Sequence, residues 1–241
     1  MKYAIIAAGE GSRLEEEGII SPKPLVRINN EALIDRLIRI FLSNNAEEII
    51  VICNNLAAEV SQHLRHIQEN GMNGQKVPLE VIVKSTPSSM HSFYEISKVL
   101  KAESFCLTTV DTIFAERVFN AYIEEFLNAV NGGLDGMMGI TDFIDDEKPL
   151  YVGVDDDMNI TGFYDSSDEC KWISAGIYGL TDKCLNILES CIQNGESRMR
   201  NFQRSLIANG MKLKAYPFHN VFDIDHAMDI KKAECFLKNA E

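Results

Sequence analysis

Residues 1–14 read MKYAIIAAGEGSRL, and residues 22–25 read PKPL. Tyr3–Ala7 is a short, continuous apolar run, as expected of a buried strand. It runs straight into Gly9-Glu10-Gly11-Ser12-Arg13. Glycines placed there let backbone N–H groups approach phosphate oxygens, because no Cβ intervenes. Ser12 adds a hydroxyl donor, and Arg13 adds a fork of donors suited to phosphate. Pro22 and Pro24 each restrict φ and bias the residue before them toward an extended state, which fixes the direction of the Lys23 stem. Strand, glycine loop, guanidinium and clamped ammonium together point to a polyphosphate ligand. Without the lysine, the same glycines would also suit a plain strand-to-loop turn.

Two better-known phosphate loops do not fit. A dinucleotide-binding G-x-G-x-x-G requires glycine where this chain has Leu14, and an acid at the end of the second strand, where it has Asn54 and Asn55. No G-x-x-x-x-G-K-[ST] stretch occurs.

Outward from this opening, strand-like and helix-like segments alternate. Glu48–Cys53, Leu79–Val83 and Phe105–Val110 read as further buried strands. Between them, Glu31–Asn44, the set Leu56, Val60, Leu64 and Ile67 (closing at Asn70-Gly71), and Met90–Leu100 carry helical spacing. This order predicts an α/β fold with a mostly parallel sheet and right-handed crossovers. After Asn131-Gly132-Gly133 the rhythm changes. Asp135–Thr141, Tyr151–Asp155, Ile160–Tyr164 and Ile173–Leu180 are strand candidates without long helices between them, which predicts an antiparallel insertion in the C-terminal half or an extension of the sheet. Helices return at Asp182–Gln193, Arg198–Asn209 and Ala227–Asn239. With no repeat and no low-complexity linker, one domain is expected over 1–241, with its seam near Gly133. Ligands of such sheets sit at the carboxyl ends of the parallel strands. Ala8–Arg13, Lys84–His91 and Asp111 all fall there.

The net charge is -13, which argues against a nucleic-acid partner. An anionic small substrate then needs a divalent cation or a local basic cluster. The six cysteines form no C-x-x-C pair or zinc pattern and read as reduced thiols of a cytoplasmic protein. The first apolar run is too short for a secretory leader, and no segment approaches a membrane span.

The run A-A-G-E-G-S-R-L (7–14), followed by P-K-P-L with its lysine ten positions beyond Arg13, resembles the signature of the nucleotidyltransferases. These include the sugar-1-phosphate nucleotidylyltransferases (NDP-sugar pyrophosphorylases) and the small cytidylyltransferases. Val110-Asp111 resembles the family's metal-binding aspartate. Ser174-Ala175-Gly176-Ile177-Tyr178 resembles the strand lining its acceptor pocket. Phe222-Asp223-Ile224-Asp225 resembles its second metal-binding acid, set before a short helix.

The resemblance implies a Rossmann-like (GT-A-like) α/β/α sandwich. Residues up to about 130 would bind the nucleotide, and those from about 131 the acceptor. It implies transfer of NMP from an NTP to a phosphorylated small molecule, with Mg²⁺ as cofactor and pyrophosphate released. Backbone N–H groups from Ala8, Gly9, Gly11 and Ser12 would hold the triphosphate. Arg13 would bind the departing β/γ phosphates, and Lys23 would sit at the α-phosphate. Asp111 and Asp225 would hold the ion, with Asp223 as an additional ligand. Ser88 and Ser89 fall in the base-recognition loop, where the family usually has glycine.

Other expectations concern neighbouring residues. Asp111 and Thr112 would otherwise cap a helix at Ile113–Asn120. Ser88 or Ser89 would otherwise cap the third helix. Glu15-Glu16-Glu17 reads as a solvated lid segment, and Asp155-Asp156-Asp157 as a turn between two strands. His226 gets no metal role, since Mg²⁺ prefers oxygen. The family's E-K-P element is absent from Tyr164-Asp165-Ser166-Ser167, leaving Lys171 as stand-in cation for the acceptor phosphate. That gap opens a second acceptor class, such as phosphocholine or an alditol phosphate. A third reading is a nucleotide-sensing paralogue without turnover.

Overall fold

The structure is a computed structural model that describes residues 1–143, 148–166 and 170–240; Ser167 of the region expected to hold E-K-P lies outside them. Lys2–Ala7 forms the central strand β1. Its side chains alternate between two cores: Tyr3, Ile5 and Ala7 enter one, Ala4 and Ile6 the other. A strand buried on both faces needs cover on both faces, which sets the layered architecture.

The chain continues through α1 (Ser12–Glu16), a single 3-10 turn at Lys23–Leu25, the hairpin β2 (Arg27–Ile28) and β3 (Glu31–Ala32), and α2 (Leu33–Ser43). Then follow β4 (Glu48–Cys53), α3 (Ala58–Asn70), β5 (Leu79–Val83), α4 (Ser89–Ser97), β6 (Ser104–Thr109), β7 (Thr112–Ile113) and α5 (Glu116–Asn131). The second half holds β8 (Gly136–Thr141), β9 (Tyr151–Val154), β10 (Ile160–Tyr164), β11 (Trp172–Thr181), α6 (Lys183–Gln193), α7 (Met199–Ala208), β12 (Leu213–Pro217), β13 (Phe222–Asp223) and α8 (Ala227–Ala240).

Strands β6, β1, β4 and β5 form the expected parallel block. β11 joins β6 antiparallel and carries the C-terminal strands β8, β9 and β10, so the second half extends the same sheet. β12 closes the far side, parallel to β8. Helices α2, α3, α5 and α8 cover one face, and α4, α6 and α7 the other. The GT-A-like α/β/α sandwich is therefore present.

Four local expectations are corrected. Leu56 has helical spacing with Val60, yet α3 starts only at Ala58. The Asn54 carboxamide oxygen accepts the Leu56 and Ala57 N–H groups at 3.1 Å each, which turns the chain and leaves Leu56 70% exposed. The helix placed at Ile113–Asn120 starts at Glu116, because Thr112–Ile113 is drawn into β7 and Phe114 into the core. Lys23 opens a 3-10 turn rather than an extended stretch, closed by Leu25 N–H on the Pro22 carbonyl at 2.8 Å. Glu15–Glu17 is not merely solvated: Glu15 and Glu16 lie in α1, and Glu17 caps α8.

One ion pair ties α2 to α3: His63 Nε2 lies 2.6 Å from Asp35 Oδ1. The hydrogen bond to this carboxylate raises the His63 pKa. A raised folded-state pKa gives stability that is complete below the unfolded value and fades as pH rises through the folded one. The stability lost in His63→Gln is therefore expected to be larger near pH 5.5 than near pH 9, by less than about 1 kcal/mol for a part-exposed pair. Urea unfolding of both proteins at the two pH values measures it.

Candidate active site

The carboxyl ends of β1, β4, β5 and β6 surround a cleft of about 410 Å³. Its lining includes Ala8 to Arg13, Lys23, Ser85 to Ser89, Asp111 and Asp225. A second chamber of about 480 Å³ shares Arg13 and Asp225 with the first, and adds Phe143, Ser174, Asp223, His226 and Lys232 among others. Apart from Lys171, every residue expected to hold nucleotide, ion or base borders one chamber or the other.

The glycine loop meets the lysine by close approach. Gly11 has φ +69°, and a Cβ there would lie 3.1 Å from Lys23 Cβ. The left-handed backbone alone costs an L-residue roughly 1–2 kcal/mol. Gly11→Ala is accordingly expected to raise the KM for nucleotide by about tenfold, since 1.4 kcal/mol is a factor of ten. Circular dichroism should remain native.

Asn54 was noted in the sequence only because it is not an acid. Its amide donates to the Ala8 and Gly9 carbonyls at 3.3 Å each, while its oxygen holds the next turn. At 7% exposure it ties the ends of β1 and β4 together and fixes the loop between them. The signal was its position at the end of the second parallel strand.

The two acids are brought together by a two-residue ladder. β7 pairs antiparallel with β13, opposing Thr112 to Asp223, and the Asp111 carbonyl accepts the Ile224 N–H at 3.2 Å. Thr112 Oγ1 donates to Asp223 Oδ1 at 3.3 Å and lies 2.7 Å from Thr109 Oγ1. Asp111 therefore does not cap a helix. Beside the ladder, Gly176 of β11 has φ +70°, with its missing Cβ aimed 3.1 Å from Thr112 Oγ1.

The charged groups converge. Lys23 Nζ donates to Asp111 Oδ2 at 2.5 Å and to Asp225 Oδ1 at 2.7 Å. Arg13 Nη1 donates to Asp225 Oδ2 at 3.1 Å. Burial works against the Lys23 ammonium, but the two carboxylates outweigh it and raise its pKa. Burial would likewise raise Asp225, yet Lys23 and Arg13 hold its carboxyl below the usual range.

The loop carrying Asp225 is pinned twice. Buried Asp229 accepts the N–H groups of Asp225 and His226 at 3.2 and 2.8 Å. Glu17 accepts the Ala227 N–H at 2.7 Å and pairs with His226 Nδ1 at 2.6 Å. His226 is thus engaged by a carboxylate.

Elsewhere, Ser88 Oγ accepts the His91 N–H and caps α4 while bordering the cleft, and Ser89 opens that helix. Asp155 Oδ1 accepts the Asp157 and Asn159 N–H groups, as the expected turn requires. Lys171 does not reach either chamber. It lies over Trp172 and 3.6 Å from Asp142, beside a separate groove. In the second chamber, Lys232 supplies a lysine instead, 3.3 Å from Asp229.

Among the described residues no three His, Cys, Asp or Glu side chains form a ready-made metal cage. The Asp111–Asp225 pair nonetheless fits a hard divalent ion. One ammonium already bridges both carboxylates, so their oxygens converge on a single cationic point. Mg²⁺ is commonly held by one or two carboxylates plus substrate phosphates.

Likenesses to known proteins agree with this geometry. The bifunctional protein GlmU of Thermodesulfovibrio yellowstonii is 24% identical over 230 residues, covering 90% of this chain and 47% of that protein. The chain thus spans about half the length of this curated relative. The inositol-1-phosphate CTP transferase from T. maritima superposes with a TM-score of 0.79 at 18% identity, covering 98% of this chain and 96% of that one. The CTP:phosphocholine cytidylyltransferase from Streptococcus pneumoniae gives 0.75 at 18%, with 98% of each chain covered. At such identities these structures show the shared fold. A family model described as the MobA-like NTP transferase domain matches residues 3–135, more than half of the sequence, and the chain belongs to that family.

Proposed function

We propose that the cleft transfers NMP from an NTP to a phosphorylated small molecule with release of pyrophosphate, in a Mg²⁺-dependent reaction. One observation carries the reading. Arg13, Lys23, Asp111 and Asp225 join in one ion-pair cluster, although Lys23 and Asp225 are 202 positions apart. Two cations and two acids around a glycine loop suit a polyphosphate and its counter-ion.

In this reading an acceptor phosphate oxygen attacks the α-phosphorus, and the bond from that phosphorus to the pyrophosphate oxygen breaks. The attacking oxygen already carries charge, so the site needs no protein nucleophile. It needs in-line placement and neutralisation of crowded anions. Backbone N–H groups from Ala8 to Ser12 hold the triphosphate, Arg13 the departing phosphates and Lys23 the α-phosphate. Ser88 and Ser89 border the base. Asp111 and Asp225, with Asp223 nearby, would hold Mg²⁺, which offsets charge on phosphate oxygens. The first chamber draws on residues before about 130 plus Asp225; the second draws on later residues plus Arg13 and Glu17. That division matches a nucleotide half and an acceptor half.

A sugar 1-phosphate is the first acceptor to test. Cytidylyl or uridylyl transfer to phosphocholine or an alditol phosphate is the second, favoured by Lys171 standing outside both chambers and by the carboxylates and Phe143 lining the second one. The free thiols of Cys53, Cys106, Cys184, Cys191 and Cys235 suit a reducing cytoplasm. No helix among the described residues is long and apolar enough to cross a membrane.

A thermal-shift panel of all NTPs, with and without Mg²⁺, tests the reading together with pyrophosphate release on candidate acceptors. One NTP with Mg²⁺ at a hundred times its Kd should add about 2.7 kcal/mol of stability. Nucleotide binding without turnover on any acceptor would instead favour a sensor. No shift with any NTP would sink both readings.

A further inference from the structure

Lys23 occupies a place that an ion held by both acids would need. Its side chain is 10% exposed, donates through Nζ to both Asp111 and Asp225, and hangs from a turn braced by Pro22 and Pro24. A hard cation binding both carboxylates cannot share that point with an ammonium, because like charges that close repel strongly. From this geometry, and resting on the reading above, we propose that Lys23 is a built-in competitor for the acid pair. It keeps divalent ions weakly bound until the nucleotide arrives and gives the ammonium a better partner. The exchange is mutual: Lys23 passes from carboxylates to phosphate as the acids pass from Lys23 to the ion. Ion loading is thereby tied to nucleotide loading by charge pairing alone.

The arrangement separates Lys23 from Arg13. Of the two acids Arg13 pairs with Asp225 alone, at 3.1 Å, and it is half exposed, so it blocks the acid pair far less. Removing either side chain deletes one positive charge, yet only Lys23 vacates the bridging point.

The test is calorimetric titration of Mn²⁺ into nucleotide-free wild type, Lys23→Met and Arg13→Met. Lys23→Met should bind the ion at least tenfold more tightly than wild type, and Arg13→Met less than threefold. Adding Asp111→Asn to Lys23→Met should abolish the gain, which locates the ion at the acids. Equal gains from both single variants, or no gain from Lys23→Met, would overturn the proposal. Should Lys23→Met fold poorly, the wild type still decides. The ¹⁵N signal of the Lys23 ammonium should shift as Mg²⁺ saturates the acids, and an unchanged signal at saturation would overturn the exchange. Pyrophosphate release by the wild type is scored separately. Turnover without the tighter variant refutes the competitor alone, and the tighter variant without turnover refutes the transferase reading alone.

Discussion

Lys23→Met is expected to lower the rate of pyrophosphate release at saturating substrates by on the order of 10³-fold, the scale seen when one preorganised group at a developing charge is removed. With Lys23 at the α-phosphate, as proposed, the loss should fall mainly on kcat, because charge would be redistributed there as the bond to pyrophosphate breaks. Lys23→Arg should recover less than about a tenth of the activity, since a planar fork on a longer stem cannot reproduce a point charge. The part-buried ammonium meets two carboxylates at 2.5 and 2.7 Å, a convergence set for a point donor on a four-carbon stem. The same variant that stops turnover should bind Mn²⁺ more tightly, and opposite signs in one protein are hard to obtain from misfolding. Steady-state assays at matched circular dichroism measure the effect. A loss below about tenfold would remove Lys23 from the reaction centre.

The largest effect on stability is expected from Phe119→Ala. Phe119 is fully buried on α5, with ring centroids 4.8 Å from Phe114, 5.6 Å from Phe41, 5.9 Å from Tyr122 and 6.5 Å from Tyr3. It is the hub of a ring cluster joining α2, β1 and α5. Truncation leaves a cavity whose rigid aromatic walls cannot collapse, so a cost of about 3–5 kcal/mol is expected. For a chain of this size that corresponds to a fall in Tm on the order of 10 °C. Leu127→Ala, at 37% exposure on the same helix, should change stability by less than about 0.5 kcal/mol. Differential scanning calorimetry of both variants compares them directly. Comparable falls would mean that helix propensity, rather than ring packing, sets the loss.

The parallel block was legible because β1 and β4 are unbroken apolar runs buried on both faces, a pattern that few other elements share. The cations were legible because glycine and proline constrain backbone locally. The meeting of Asp111 with Asp225 could be expected only from resemblance, since two-residue strands such as β7 and β13 carry no period to read. Glu17 was misread for a related reason. Its partners, His226 and the Ala227 N–H, lie 209 and 210 positions away, and nothing in an acidic run announces a distant helix terminus. Leu56 shows the converse error. Its spacing was helical, but one Asn54 side chain outweighed the periodicity by capping the turn. Lys171 was favoured by sequence proximity to the missing element, whereas the lysine that lines the second chamber, Lys232, comes from a helix formed much later in the chain.

The short ladder between Thr112 and Asp223 also times the protein's birth. During synthesis, β1, β4, β5 and β6 can emerge and associate while the partner segment, 111 positions beyond Thr112, is still inside the ribosome. A nascent chain can thus be largely shaped with its lysine facing a single carboxylate. The Lys23–Asp225 contact forms only when the loop leading into α8 has been made and returns to the sheet.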